Sequence, residues 1–138
     1  MKYMLILNAD EESESTAVPN EEDLNSMGRY NDELIKAGVM LAGEGLHPSS
    51  EGARVQYDGD ERTITDGPFA ETKELIAGFW IIQAASKEEA IEWARRIPLG
   101  SGRVEVRRVA DISEFDQDNE YVKKEKQWRE QTGEARTA

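Results

Sequence analysis

His47 is the only histidine in the 138-residue sequence, and it follows Gly43-Glu44-Gly45-Leu46 directly. A carboxylate within reach of such a ring fixes its tautomer and raises its basicity, which makes an acid–base pair that works near neutral pH. Asp66 is the candidate partner, since both residues flank strand ends around one inserted hairpin. His47 and Asp66 are therefore the candidate catalytic residues. The plainer alternatives are a histidine capping a turn and an aspartate bonding the Gly67-Pro68 backbone as an Asx turn. The densest cluster of unusual residues follows, Asp66-Gly67-Pro68-Phe69-Ala70-Glu71-Thr72-Lys73-Glu74. In it Lys73 is placed to hold an anionic substrate group, Glu71 to orient it, and Phe69 to line the same cleft. Arg54 is a further candidate for an anion, and Glu44 lies between two glycines that let a ligand approach the backbone. A salt-bridged solvent loop worth little stability is the structural alternative for Glu71 and Lys73. An ordinary surface strand residue is the alternative for Arg54.

Several chemistries lose support from composition. The chain has no cysteine, so it offers no disulfide, thiolate nucleophile or cysteine-bound metal. One histidine with scattered carboxylates does not make a zinc site. No P-loop, dinucleotide fingerprint or Gly-x-Ser-x-Gly elbow is present, and no cofactor is expected. A formal net charge of −12, from 29 acidic against 17 basic residues, disfavours nucleic acid and anionic membranes as partners. The short apolar run at Met1–Leu7 is followed at once by acidic residues, unlike a secretory signal. No stretch approaches the roughly 20 apolar residues that span a bilayer. A cytoplasmic location is expected.

The elements that must position these residues follow from period and punctuation. Tyr3–Leu7 reads as a buried strand. Asn20 caps a helix whose first turn carries Glu21, Glu22 and Asp23, and whose stripe is Leu24, Met27, Leu34 and Ile35, with Tyr30 beside it. Gly38 ends that helix. Val39–Ala42 reads as a second strand running into Gly43–Leu46. Ala53–Tyr57 and Arg62–Thr65 form a hairpin about Asp58-Gly59, and Ile76–Ala84 is the strongest strand. Ser86-Lys87-Glu88-Glu89 is a capping box that opens a helix with Ala90, Ile91, Ala94 and Ile97 inward and Pro98 as its stop. Val104, Val106 and Val109 mark the last core strand, and Asn119–Gln131 a charged helix. The order without the hairpin is βαββαβ, so the fold class is α+β, ferredoxin-like, with an inserted β-hairpin and a C-terminal helix. The domain spans 1–110 and the charged helical extension 111–138. Two helices cover one sheet face, and a second copy is the simplest cover for the other, so a homodimer is expected.

The Asp-Gly-Pro-Phe block with the Glu-Thr-Lys-Glu that follows it resembles the YCII-related family, in its DGPF-motif branch. The resemblance runs from Lys2-Tyr3-Met4 through Gly38, Gly43–Leu46 and Asp66–Glu74 to Gly78-Phe79-Trp80, Gly102 and Glu105-Val106-Arg107. It implies a dimeric α/β-barrel arrangement with a cleft on each protomer. Members look like small-molecule binders or enzymes, with a His-Asp acid–base pair proposed in the simpler YCII-like proteins. Those carry their histidine in the first helix, where this sequence has Arg29, Tyr30 and Asp32, so pairing His47 with Asp66 rests on the residues alone. Many DGPF proteins are similar to those encoded beside extracytoplasmic-function sigma factors. Two functions are therefore carried forward. One is a homodimeric small-molecule-binding protein, its ligand unknown, with an acid–base site. The other is a non-catalytic regulatory protein linked to such a sigma factor.

Overall fold

The strongest apolar run of the sequence becomes the strand on which the sheet is built. The computed structural model describes residues 1–9, 20–69 and 75–133, so Glu71, Lys73 and Glu74 lie outside the described residues. The elements, in chain order, are β1 (Lys2–Ala9), α1 (Glu21–Lys36), β2 (Met40–Gly45), β3 (Ala53–Asp58), β4 (Glu61–Asp66), β5 (Leu75–Gln83), α2 (Lys87–Arg95), β6 (Arg103–Arg108) and α3 (Glu120–Thr132). Single 3₁₀ turns lie at Ser49–Glu51 and Ile112–Glu114. Strands β2, β5, β1 and β6 form one antiparallel sheet in that order, while β3 and β4 pair as a separate hairpin. This is the expected ferredoxin-like α+β arrangement with its inserted hairpin.

Period-two alternation along β5 decides which side chains meet the helices. Tyr3 lies opposite Ile82 and Leu5 opposite Trp80. These four are buried with Tyr30 and Leu34 of α1 and Ala90 of α2 in one core cluster. The residues between them, Met4, Ile6, Phe79 and Ile81, take the other face and are half-buried.

Helix α1 begins as expected: the Asn20 carboxamide oxygen accepts from the Asp23 backbone N–H at 2.8 Å. Gly38, at φ +74°, follows the end of α1. The inward stripe differs from the expected one. Tyr30 and Leu34 are buried with Met27 packed against them, whereas Leu24 and Ile35 are 58% and 61% exposed. Tyr30 takes the central place because its hydroxyl donates to the Trp93 carbonyl oxygen of α2 at 2.8 Å, so a phenol can be buried without an orphan group. At α2 the Ser86 hydroxyl accepts from Glu89 N–H at 3.2 Å. The Glu89 carboxylate reaches one residue further back than a standard capping box, to Ala85 N–H at 2.8 Å.

The hairpin turns at Gly59, whose φ of +60° suits a residue without Cβ, and every residue of both its strands is exposed. Val55, Tyr57 and Ile64 share one of its faces, 47%, 72% and 71% exposed. Helix α3 is capped by Asn119 and carries Tyr121 and Trp128 largely in solvent. Among the described residues, no helix is long and apolar enough to cross a membrane.

Candidate functional site

Four elements enclose a cavity of about 190 Å³: the end of β1 at Leu7, Met27 and Asn31 on α1, and the facing segments Gly43–Gly45 of β2 and Ala77–Trp80 of β5. Glycines keep it open. A Cβ on Gly78 would stand 2.8 Å from the Glu44 carbonyl oxygen and 3.3 Å from Gly45 Cα, both backbone atoms, so β2 and β5 could not approach as they do. A Cβ on Gly43 would meet Met40 Cε at 2.6 Å and Trp80 Cδ1 at 3.1 Å.

The polar geometry of the cavity rests on one hydrogen bond. The Trp80 indole N–H donates to Asn31 Oδ1 at 2.8 Å. An indole nitrogen is a donor only, so the carboxamide oxygen must face it, and the Asn31 amide NH₂ is left as the cavity's side-chain donor. The indole is itself held edge-on to the Tyr30 ring, with centroids 5.6 Å apart and planes at 81°. Burial raises the Tyr30 pKa well above its ordinary value, outweighing the opposing charge of Arg96, so its hydroxyl stays a donor to Trp93 throughout the physiological range. Among the described residues, Glu44 is the one ionisable residue that lines the cavity. The arrangement can therefore present two N–H donors beside an apolar wall, with a carboxylate at the strand edge.

The other residues singled out from the sequence lie on the turn before the hairpin and at its base. The His47 side chain is 84% exposed, and its Nδ1 is 2.8 Å from Glu51 Oε2. The 3₁₀ turn at Ser49–Glu51 curls the chain so that the carboxylate four positions on reaches the ring. Asp66 ends β4 opposite Ala53 and is exposed, and among the described residues no hydrogen bond joins it to His47. The Arg54 guanidinium lies 4.1 Å over the Phe69 ring. Two bonds brace this region: Gly67 N–H to the Gly52 carbonyl oxygen at 2.9 Å, and Phe69 N–H to Ser49 Oγ at 3.0 Å. The structure thus brings Arg54 to Phe69, and it sets Glu44 apart from them in the cavity. Among the described residues, no group of three His, Asp or Glu side chains stands close enough to hold a metal ion.

Asn31, Met27 and Gly78 are site residues that sequence reasoning passed over. One signal was present: asparagine is a poor helix-interior residue, because its side chain competes for backbone hydrogen bonds, and so it asks for a reason. That reason is a tryptophan 49 positions away.

Residues 1–113 match the family model of the YCII-related domain. An uncharacterised protein of Rhizobium meliloti (strain 1021) is 32% identical over 111 residues, which cover 76% of this chain and 90% of that protein.

Proposed function

The chain belongs to the YCII-related family, and from that premise we propose that it is a homodimeric small-molecule-binding protein whose ligand seats in the cavity between α1 and the β2–β5 pair. The observation that carries this reading is the Asn31 carboxamide, fixed by the Trp80 indole so that its NH₂ is aimed by packing rather than by solvent. Preorganised polar groups in an apolar concavity are what a small-ligand site needs. At about 190 Å³ the cavity is smaller than the roughly 300–1,000 Å³ of sites for drug-sized molecules, so its ligand is a small metabolite. Among the described residues no cationic side chain lines it and one carboxylate does, which favours a neutral or amine-bearing molecule over an anion. A carbonyl oxygen on the ligand would accept from Asn31. The half-buried open face of the sheet, with Met4, Ile6, Phe79 and Ile81, supports the homodimer, because a second copy would remove that apolar surface from water.

A regulatory protein docking a basic partner, such as a segment of a sigma factor, is the second reading. The net charge of −12 favours it.

A thermal-shift screen against small neutral and amine metabolites, run on the wild type, Asn31→Leu and His47→Ala, tests the proposal. A ligand at 100 times its Kd should add about 2.7 kcal/mol of stability to the wild type. Asn31→Leu should lose that gain, and should itself cost about 1–3 kcal/mol by leaving the indole N–H without an acceptor. His47→Ala should keep the gain, since it removes an exposed i,i+4 pair worth well under about 1 kcal/mol. Hits kept by Asn31→Leu and lost in His47→Ala would move the site to the His47 and Asp66 region. A screen without hits, with a protein partner recovered at low salt and released at high salt, would support the regulatory reading.

A further inference from the structure

A second cavity, of about 250 Å³, lies where α1 meets the chain leaving α2, lined by Ser26, Arg29, Tyr30, Glu33, Arg96 and Pro98. Its chemistry is opposite to that of the first. Among the described residues, two arginines line it against a single carboxylate, in a chain whose acidic residues outnumber basic ones by 29 to 17. Among the described residues, neither guanidinium has a close carboxylate partner. Arg29 Nη2 donates to Ser26 Oγ over a long 3.4 Å, and among the described residues no carboxylate forms an ion pair with it. Glu33 stands one helical turn on, at a spacing where such pairs commonly form. Arg96 Nε is 3.8 Å from Glu92 Oε1, at the outer limit of an ion pair. The Arg96 guanidinium also lies 4.9 Å over the Trp93 ring, a stack that holds its plane, and among the described residues its two terminal Nη groups make no ion pair. The same Trp93 accepts from the Tyr30 hydroxyl, so the phenol proton is already committed and the donors left to an anion here are the two guanidiniums and Ser26.

We propose that this cavity is an oxyanion site, and that the group it takes is the phosphate of a small phosphate monoester. The two guanidiniums come from different elements and so reach different oxygens of one tetrahedral group, where a planar carboxylate would engage only one fork well. Ser26 supplies a hydroxyl donor at the rim, and Glu33 can accept from a hydroxyl on the ligand's organic part. The site is separate from the Asn31–Trp80 cavity, and its test does not depend on that one.

Isothermal titration calorimetry with methyl phosphate, inorganic phosphate and acetate at matched ionic strength decides it. Methyl phosphate should bind saturably and more weakly as salt is raised. Arg29→Gln and Arg96→Gln should each raise its Kd about tenfold or more, as expected for loss of a charge-assisted hydrogen bond. Glu33→Gln should lower the Kd by removing a like charge, a gain that no merely structural role for Glu33 would produce. Acetate binding as tightly as methyl phosphate would overturn the phosphate assignment. No saturable heat at millimolar methyl phosphate, or an unchanged Kd in either arginine variant, would overturn the site. Inorganic phosphate binding as tightly as the ester would contradict a role for the ester's organic part.

Discussion

Trp80→Ala should destabilise the protein by about 3–5 kcal/mol and abolish ligand binding in the first cavity. Trp80 is 6% exposed and lies opposite Leu5 across the β1–β5 register, so truncation opens a void that the surrounding strands cannot collapse to fill. The same change removes the wall of the cavity and the donor that orients Asn31. Trp80→Phe separates the two effects. It keeps most of the apolar volume, loses the 2.8 Å bond to Asn31, and should cost about 1 kcal/mol while still weakening binding. Urea unfolding of the three proteins checks the stability ranking. A Trp80→Ala protein within 1 kcal/mol of the wild type would mean that the indole is not the packed wall described above.

Gly67→Ala is the second large effect, and it lies far from that wall. A Cβ on Gly67 would fall 1.6 Å from the Ser49 carbonyl oxygen and 2.5 Å from its carbonyl carbon. Both are backbone atoms, so the chain itself must move. Overpacking of this kind costs about 1–3 kcal/mol or more. Here it must also pull Ser49 and Gly52 away from the Phe69 and Gly67 amides that they respectively accept from. Hydrogen exchange reads this directly: the Phe69 amide, bonded to Ser49 Oγ in the wild type, should exchange much faster in the variant. Unchanged protection would show that the turn and the Asp66–Phe69 segment are not seated against one another. The requirement for glycine at position 67 thus has a structural cause, close backbone approach, quite apart from any chemistry at Asp66.

These two sites differ in how far the sequence reveals them. The order of elements was legible because its signals are local. Asn20 and Ser86 cap helices within three residues of themselves, and Asp58-Gly59 marks a hairpin between two alternating runs. The stripe of α1 was only partly legible. Leu24 and Ile35 have the right spacing for a buried face, but Tyr30 displaces them because its hydroxyl finds the Trp93 carbonyl oxygen 63 positions away. The cavity was legible at Glu44, from the glycines flanking it, and not at Asn31, whose partner is set by tertiary packing. His47 illustrates the limit in the other direction. Asp66 is the partner that the sequence suggests, but the short turn after Pro48 brings Glu51 to the ring. That turn carries no periodic signal, so nothing in the spacing of strands announced it. The accessible functional information therefore lay in composition and motif, while the contacts that build the cavity came from residues dozens of positions apart.

The proposed function requires that a small neutral or amine-bearing molecule bind against Asn31 and Trp80. The most direct measurement is a ¹H–¹⁵N titration of the protein with a hit from the metabolite screen, following the indole N–H signals of Trp80, Trp93 and Trp128 and the side-chain NH₂ pair of Asn31. The Trp80 indole and Asn31 NH₂ signals should shift saturably, while the signal of Trp128, 55% exposed on α3, stays still. Shifts confined to the neighbourhood of His47 and the hairpin, with Trp80 and Asn31 unmoved, would contradict it.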